Sequence, residues 1–101
     1  DGDTLEVVVD LGFGVRSVQT LRLRGIDAPE LITRDGVEAK EFVQSSLAKL
    51  IRERQPLLIK TVKSDKYDRY LADIFYTDKA GKSQYLNNRL LEEGHAVRVR
   101  E

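Results

Sequence analysis

Two glycine-bearing turns constrain this chain most. Leu11-Gly12-Phe13-Gly14 and Asp78-Lys79-Ala80-Gly81 each separate stretches rich in β-branched and aromatic residues, and one amphipathic stretch lies between the two. Glycine enters the left-handed backbone conformation of a tight turn without the steric cost other residues meet, so each turn folds its flanking strands back on one another. The first hairpin joins a strand over 5–10 to an extended run over 15–26. In that run Leu21 and Leu23 alternate with Arg22 and Arg24. A period of two puts the leucines on one face and both guanidinium groups on the other, and Gly25 marks a bend. Asp35 and Glu38 have the spacing of a helix N-cap and its reciprocal partner. Ala39, Phe42, Val43, Leu47, Leu50 and Ile51 then recur at three- and four-residue intervals. This predicts a helix over 36–54 with its apolar stripe toward the core, stopped by Pro56. Strands are predicted over 57–62 and 69–77, and a short helix over 87–93 closed by Gly94.

The order strand, strand, helix, strand, strand, short helix predicts a mainly β fold with helices (α+β). The expected architecture is an OB-type five-stranded Greek-key barrel with one long and one short helix, a single domain over 1–101. With 101 residues, 41% of them apolar, the chain can bury one core but not two. No apolar run approaches the roughly 18 to 20 residues that a membrane helix needs. Cysteine is absent, which excludes disulfides, thiolate metal sites and a cysteine nucleophile. Lys plus Arg and Asp plus Glu both number 17, so the formal charge is zero. Nucleic-acid binders usually carry a basic excess, so binding of that kind must here rest on local clustering of charge.

Three clusters supply it. Asp1-Gly2-Asp3-Thr4 reads most simply as a turn entering a strand, and it is not an EF-hand calcium loop. The fifth, sixth and twelfth positions of such a loop would hold Leu5, Glu6 and Gly12. Arg22-Leu23-Arg24-Gly25-Ile26-Asp27-Ala28-Pro29-Glu30 places two carboxylates three residues apart, behind two arginines. Alone it is a charged strand end. It also offers the oxygen ligands that a hard cation needs, beside a guanidinium that can pair bidentately with phosphate. Ser64-Asp65-Lys66-Tyr67-Asp68-Arg69-Tyr70 is a charged turn whose interleaved cations and aromatics suit phosphate contact with a base stacked nearby.

Together with Glu38-Ala39-Lys40-Glu41-Phe42-Val43 and the stretch from Leu86 to Ala96, these clusters resemble the staphylococcal-nuclease-like (thermonuclease) family over nearly the whole chain. The resemblance implies that Asp3 and Asp27 are metal-binding carboxylates and that the backbone carbonyl of Ala28 is a third ligand, at a position where the family often has threonine. It implies that Glu30 orients or deprotonates the attacking water and that Arg22 and Arg69 grip the phosphate. Lys66 and Tyr67 match positions that contact a terminal phosphate of the substrate, and Asp1 matches an outer acidic position. The implied cofactor is Ca²⁺. The implied substrates are DNA and RNA, cut with little sequence specificity by departure of the 5′ oxygen to leave 3′-phosphate products.

A monomer and a secreted or cell-envelope address also follow from the resemblance. The barrel topology leaves room for one early strand before Asp1, and the third helix common in the family is either missing or lies beyond Glu101. The segment from Ala96 to Glu101 lacks the tyrosines that family members carry near the base-binding pocket, so no base preference is implied. The same resemblance includes a second reading, a catalytically silent module of the kind found in Tudor-containing proteins, which binds RNA or protein partners without cutting. Retention of Asp3, Arg22, Asp27, Glu30 and Arg69 together favours the nuclease. Tyr76 and Tyr85 are expected to pack the barrel. His95, the one histidine, is expected at the surface or a strand end with no catalytic part.

Overall fold

The computed structural model describes residues 2–63 and 70–99. Strand β1 (Thr4–Asp10) and strand β2 (Arg16–Leu23) form the first hairpin, paired from Thr4 opposite Arg22 to Asp10 opposite Arg16. After the bend at Gly25, whose φ is +80°, come the two-residue β3 (Ile26–Asp27) and helix α1 (Arg34–Arg52). Then follow β4 (Leu57–Val62), β5 (Tyr70–Thr77), β6 (Ser83–Tyr85), helix α2 (Leu86–Glu92) and β7 (Val97–Arg98).

One five-stranded sheet runs β1-β2-β5-β4, with β6 paired to β5, and β3 and β7 make a separate antiparallel pair. All sheet contacts are antiparallel except that of β2 with β5, where Leu21, Leu23 and Arg22 lie opposite Tyr70, Ala72 and Leu71. Mixed strands with one long and one short helix fit the expected OB-like class. Among the described residues the ladder is an open path ending on β1 and β4 rather than a closed ring. Val8, Val18 and Leu58 stand exposed on these strands. The core lies where the alternation put it. Leu23, Ile26, Val43, Ile74, Leu86 and Leu90 form one buried cluster, with Leu5, Phe42, Leu47, Ile59 and Tyr76 packed against it.

Three local features differ from the sequence expectation. Helix α1 starts at Arg34, and its cap is Thr33 rather than Asp35. Thr33 is extended, and its hydroxyl accepts the Gly36 N–H at 2.9 Å while donating to the Glu30 carbonyl at 2.7 Å. Asp35 instead sits in the first turn, where its charge favours the positive end of the helix dipole. Second, Ile51 is 69% exposed, so the apolar stripe ends at Leu50. The chain leaves the helix two residues early, with Arg54 at a φ of +54° and the Gln55 N–H returning to the Leu50 carbonyl. Third, Val97–Arg98 adds a strand to β3 that was not expected. Two residues are too few to show a period.

The start of α1 also fixes the loop before it. Gly36 is buried, and a Cβ there would fall inside van der Waals contact of the Glu30 carbonyl and close to that of Pro29. Those neighbours are backbone and cannot swing aside. Gly36→Ala is therefore expected to lower stability by about 1–3 kcal/mol, the usual cost of forcing extra volume into a packed site, as read by urea denaturation. A loss below the error of that measurement would mean that the loop yields freely.

Candidate nuclease-like site

The end of β2 and the residues after its bend bring three of the predicted residues together. Arg22 projects from β2 on the face opposite Leu21 and Leu23, which are buried in the core. One of its terminal nitrogens lies 3.9 Å from an Asp3 carboxylate oxygen and 3.6 Å from one of Asp27, and donates to the Ile26 carbonyl at 3.1 Å. Asp3 is buried, and Asp27 is open to solvent, with its side chain 57% exposed. The chain thus presents one accessible carboxylate in front of one enclosed carboxylate, with a guanidinium between them.

Backbone groups hold Asp3. Its Oδ2 accepts the Ala28 N–H at 3.0 Å, its Oδ1 accepts the Thr4 hydroxyl at 3.1 Å, and its carbonyl accepts the Leu23 N–H at 2.6 Å. The turn before β1 is therefore tied both to the end of β2 and to the residue after β3. Gly2 packs against Ala39 and Lys40 of α1, where a Cβ would sit about 3.0 Å from backbone. Asp27 titrates above the usual carboxylate range. Partial burial is the larger cause and the neighbouring Asp3 the next, with Arg22 opposing both.

Negative charge crowded at a solvent-facing carboxylate, in a set of hard oxygen donors, fits a hard cation. Asp3, Asp27 and the Ala28 carbonyl are the groups that would hold it. Among the described residues no three acidic or histidine side chains gather closely enough to bind a metal. Glu30 stays apart. It is exposed, and its recorded bonds are through its carbonyl, to the N–H and hydroxyl of Thr33. Asp1, Lys66, Tyr67 and Arg69 lie outside the described residues.

A cleft of about 210 Å³ adjoins Asp27 and Ala28 and is walled by Pro29, Gly94, His95, Ala96 and Val97. His95, expected to have no part, is thus near the site, with its ring 4.7 Å from that of Phe42.

A second polar group was not expected at all. Asp73 on β5 is buried, with a side chain 9% exposed, and takes Arg24 in a two-point grip, from Nε at 3.2 Å and from a terminal nitrogen at 2.7 Å. Tyr85 also donates its hydroxyl to Asp73 while its ring stacks on Phe75. Asn87, 1% exposed, accepts the Ile74 N–H and donates to the carbonyls of Ala72 and Arg24. An acidic residue in the middle of the apolar strand Tyr70–Thr77 was the available signal, since a buried carboxylate must find a partner.

Burial and the Asp73 carboxylate push the Tyr85 hydroxyl up to about 12. An unfolded tyrosine titrates near 10. The raised value means that the folded state favours the protonated hydroxyl. That contribution is fully present below pH ~10 and is lost as pH rises through about 12. Tyr85→Phe should therefore flatten the fall in stability between those limits, as followed by denaturant melts across alkaline pH. An identical slope in the two proteins would contradict the hydrogen bond to Asp73.

The family described as staphylococcal nuclease homologue matches residues 20–101. No curated protein matches the chain.

Proposed function

The chain belongs to the family of staphylococcal nuclease homologues, and from that premise we propose that it is a Ca²⁺-dependent nuclease cutting phosphodiester bonds of DNA and RNA. The observation that carries the reading is the placement of Arg22 between the carboxylates of Asp3 and Asp27. A silent binding module has no use for two acids at the place where a phosphate must dock. Without a cation they would repel it.

In this reading Asp3, Asp27 and the Ala28 carbonyl hold the ion. When bound, Ca²⁺ supplies Lewis acidity to a phosphate oxygen. Arg22, and by the resemblance Arg69, offer charge-assisted hydrogen bonds that strengthen as charge gathers on the equatorial oxygens. Glu30 accepts a proton from water or orients it for in-line attack. Its backbone is held in place by Thr33 and enclosed by Gly36. The 5′ oxygen leaves and a 3′-phosphate remains. Lys66 and Tyr67 contact a terminal phosphate, and Asp1 lies outside the ligand set. Nothing in the sequence resembles a reader of base edges, so sequence preference is slight.

Cleavage of single-stranded DNA should require Ca²⁺ and stop on chelation, with the far-ultraviolet circular dichroism unchanged. Asp27→Ala should lose Ca²⁺ affinity and activity together. Full cleavage in excess chelator would remove the metal from the mechanism, and retained RNA binding without any cleavage would favour the silent module.

Glu30→Gln keeps the shape and removes the proton acceptor. Turnover should fall by ~10² to 10⁴, the usual weight of a general base, with substrate affinity preserved. A change of only a few-fold in kcat would retire Glu30 from this role.

A further inference from the structure

The bend over 23–26 separates Arg22 from Asp27, so its shape sets how the two meet. Arg24, at its centre, is held at three points. Its N–H donates to the Ala72 carbonyl at 2.9 Å, its carbonyl accepts from Asn87 at 3.0 Å, and its guanidinium is gripped by Asp73. Asn87 also binds the Ala72 carbonyl, so one buried amide bridges the two strands beyond the last rung of their ladder. On the far side, the Val99 N–H donates to the Gly25 carbonyl at 2.8 Å. Asp73 sits between Arg24 and Tyr85 and binds both.

We infer that Asp73, steadied by Tyr85, is a positioning residue that acts through Arg24 to hold the bend at which Arg22 and Asp27 face one another. An ion pair made only for stability would not need this place in the chain. Here a buried carboxylate fixes the side chain of a residue whose backbone carries the site on both sides, two positions after Arg22 and three before Asp27. A planar fork against a carboxylate sets direction as well as distance. Small displacements of groups that meet a transition state cost rate far more than they cost binding.

The inference rests on the nuclease reading only for its kinetic readout. With single-stranded DNA and saturating Ca²⁺, Asp73→Asn should lower kcat by about tenfold, a fraction of what a misplacement near 1 Å can cost, and leave KM within about twofold. The resonance of the Arg22 side-chain Nε–H should move, and Ca²⁺ affinity by calorimetry should weaken. Arg24→Lys, which keeps the ion pair without the fork, should retain more activity than Arg24→Ala. If Asp73→Asn does not fold, Tyr85→Phe, which removes one hydroxyl, should still move the Arg22 resonance and lower kcat. Unchanged kcat and an unmoved Arg22 resonance, whatever happens to the thermal midpoint, would overturn the inference. If the unsubstituted protein binds Ca²⁺ but does not cut, the nuclease reading fails. The positioning role is then judged on the Arg22 resonance and the Ca²⁺ affinity alone.

Discussion

Strands β2 and β5 run side by side in the same direction over only three residue pairs. A parallel pair cannot be joined by a hairpin, so the chain must leave the sheet and return by a crossover. Here the crossover carries α1 and β4. Everything else is arranged around that short contact. Leu23 from β2 and Ile74 from β5 meet Val43 of α1 and Leu86 and Leu90 of α2 in one buried cluster, so the helices cover the seam from the apolar side. On the polar side Arg24 and Asn87 extend the pairing past Leu23 with bonds to the Ala72 carbonyl. A three-rung ladder alone would slip easily. Packing below and buried polar bonds at its end fix the register, because a buried group left without its partner costs about 1–3 kcal/mol.

The alternation of β2 sends two arginines to one face for opposite purposes. Arg24 meets one buried carboxylate in close two-point geometry, and Asp73 raises its already high pKa further. Arg22 lies between two carboxylates at longer range, and one of them is open to solvent. The first arrangement is saturated and static. The second leaves an exposed acid whose titration is shifted upward by partial burial and by its neighbour Asp3. A formal charge of zero over the chain therefore says little about the site. The charges that matter are sorted by which neighbour each arginine meets.

Much of this was legible in the residues. The two turns, the leucine and arginine alternation and the three- and four-residue spacing of α1 each report a local periodicity, and β4 spans the residues expected of it. The resemblance put Asp3, Arg22 and Asp27 in one site, and the three side chains do lie close together. What escaped the sequence depends on which groups meet once the chain is folded. Thr33 rather than Asp35 caps α1 because the Glu30 carbonyl engages the threonine hydroxyl, and Asp35 has equal local credentials. Val97–Arg98 is a strand only because β3 lies beside it. The Arg24–Asp73 pair spans 49 positions, and no spacing rule reaches that far.

The same dependence on folded contacts explains how a loop residue can serve a rigid site. Glu30 has no secondary structure of its own, yet its backbone is held by two bonds from Thr33 and enclosed by Gly36. Asp3 likewise precedes β1, but three bonds tie it to Thr4, Leu23 and Ala28. Functional side chains on connecting segments remain accessible because strands and helices would bury them. Their precision comes from backbone bonds to the elements on either side. In this chain those bonds converge on the few residues around the bend after β2, so the site depends on one short stretch being correct. On the proposed nuclease reading, a substitution there should disturb metal binding and phosphate contact together, whereas one on the exposed faces of β1 or α1 should disturb neither.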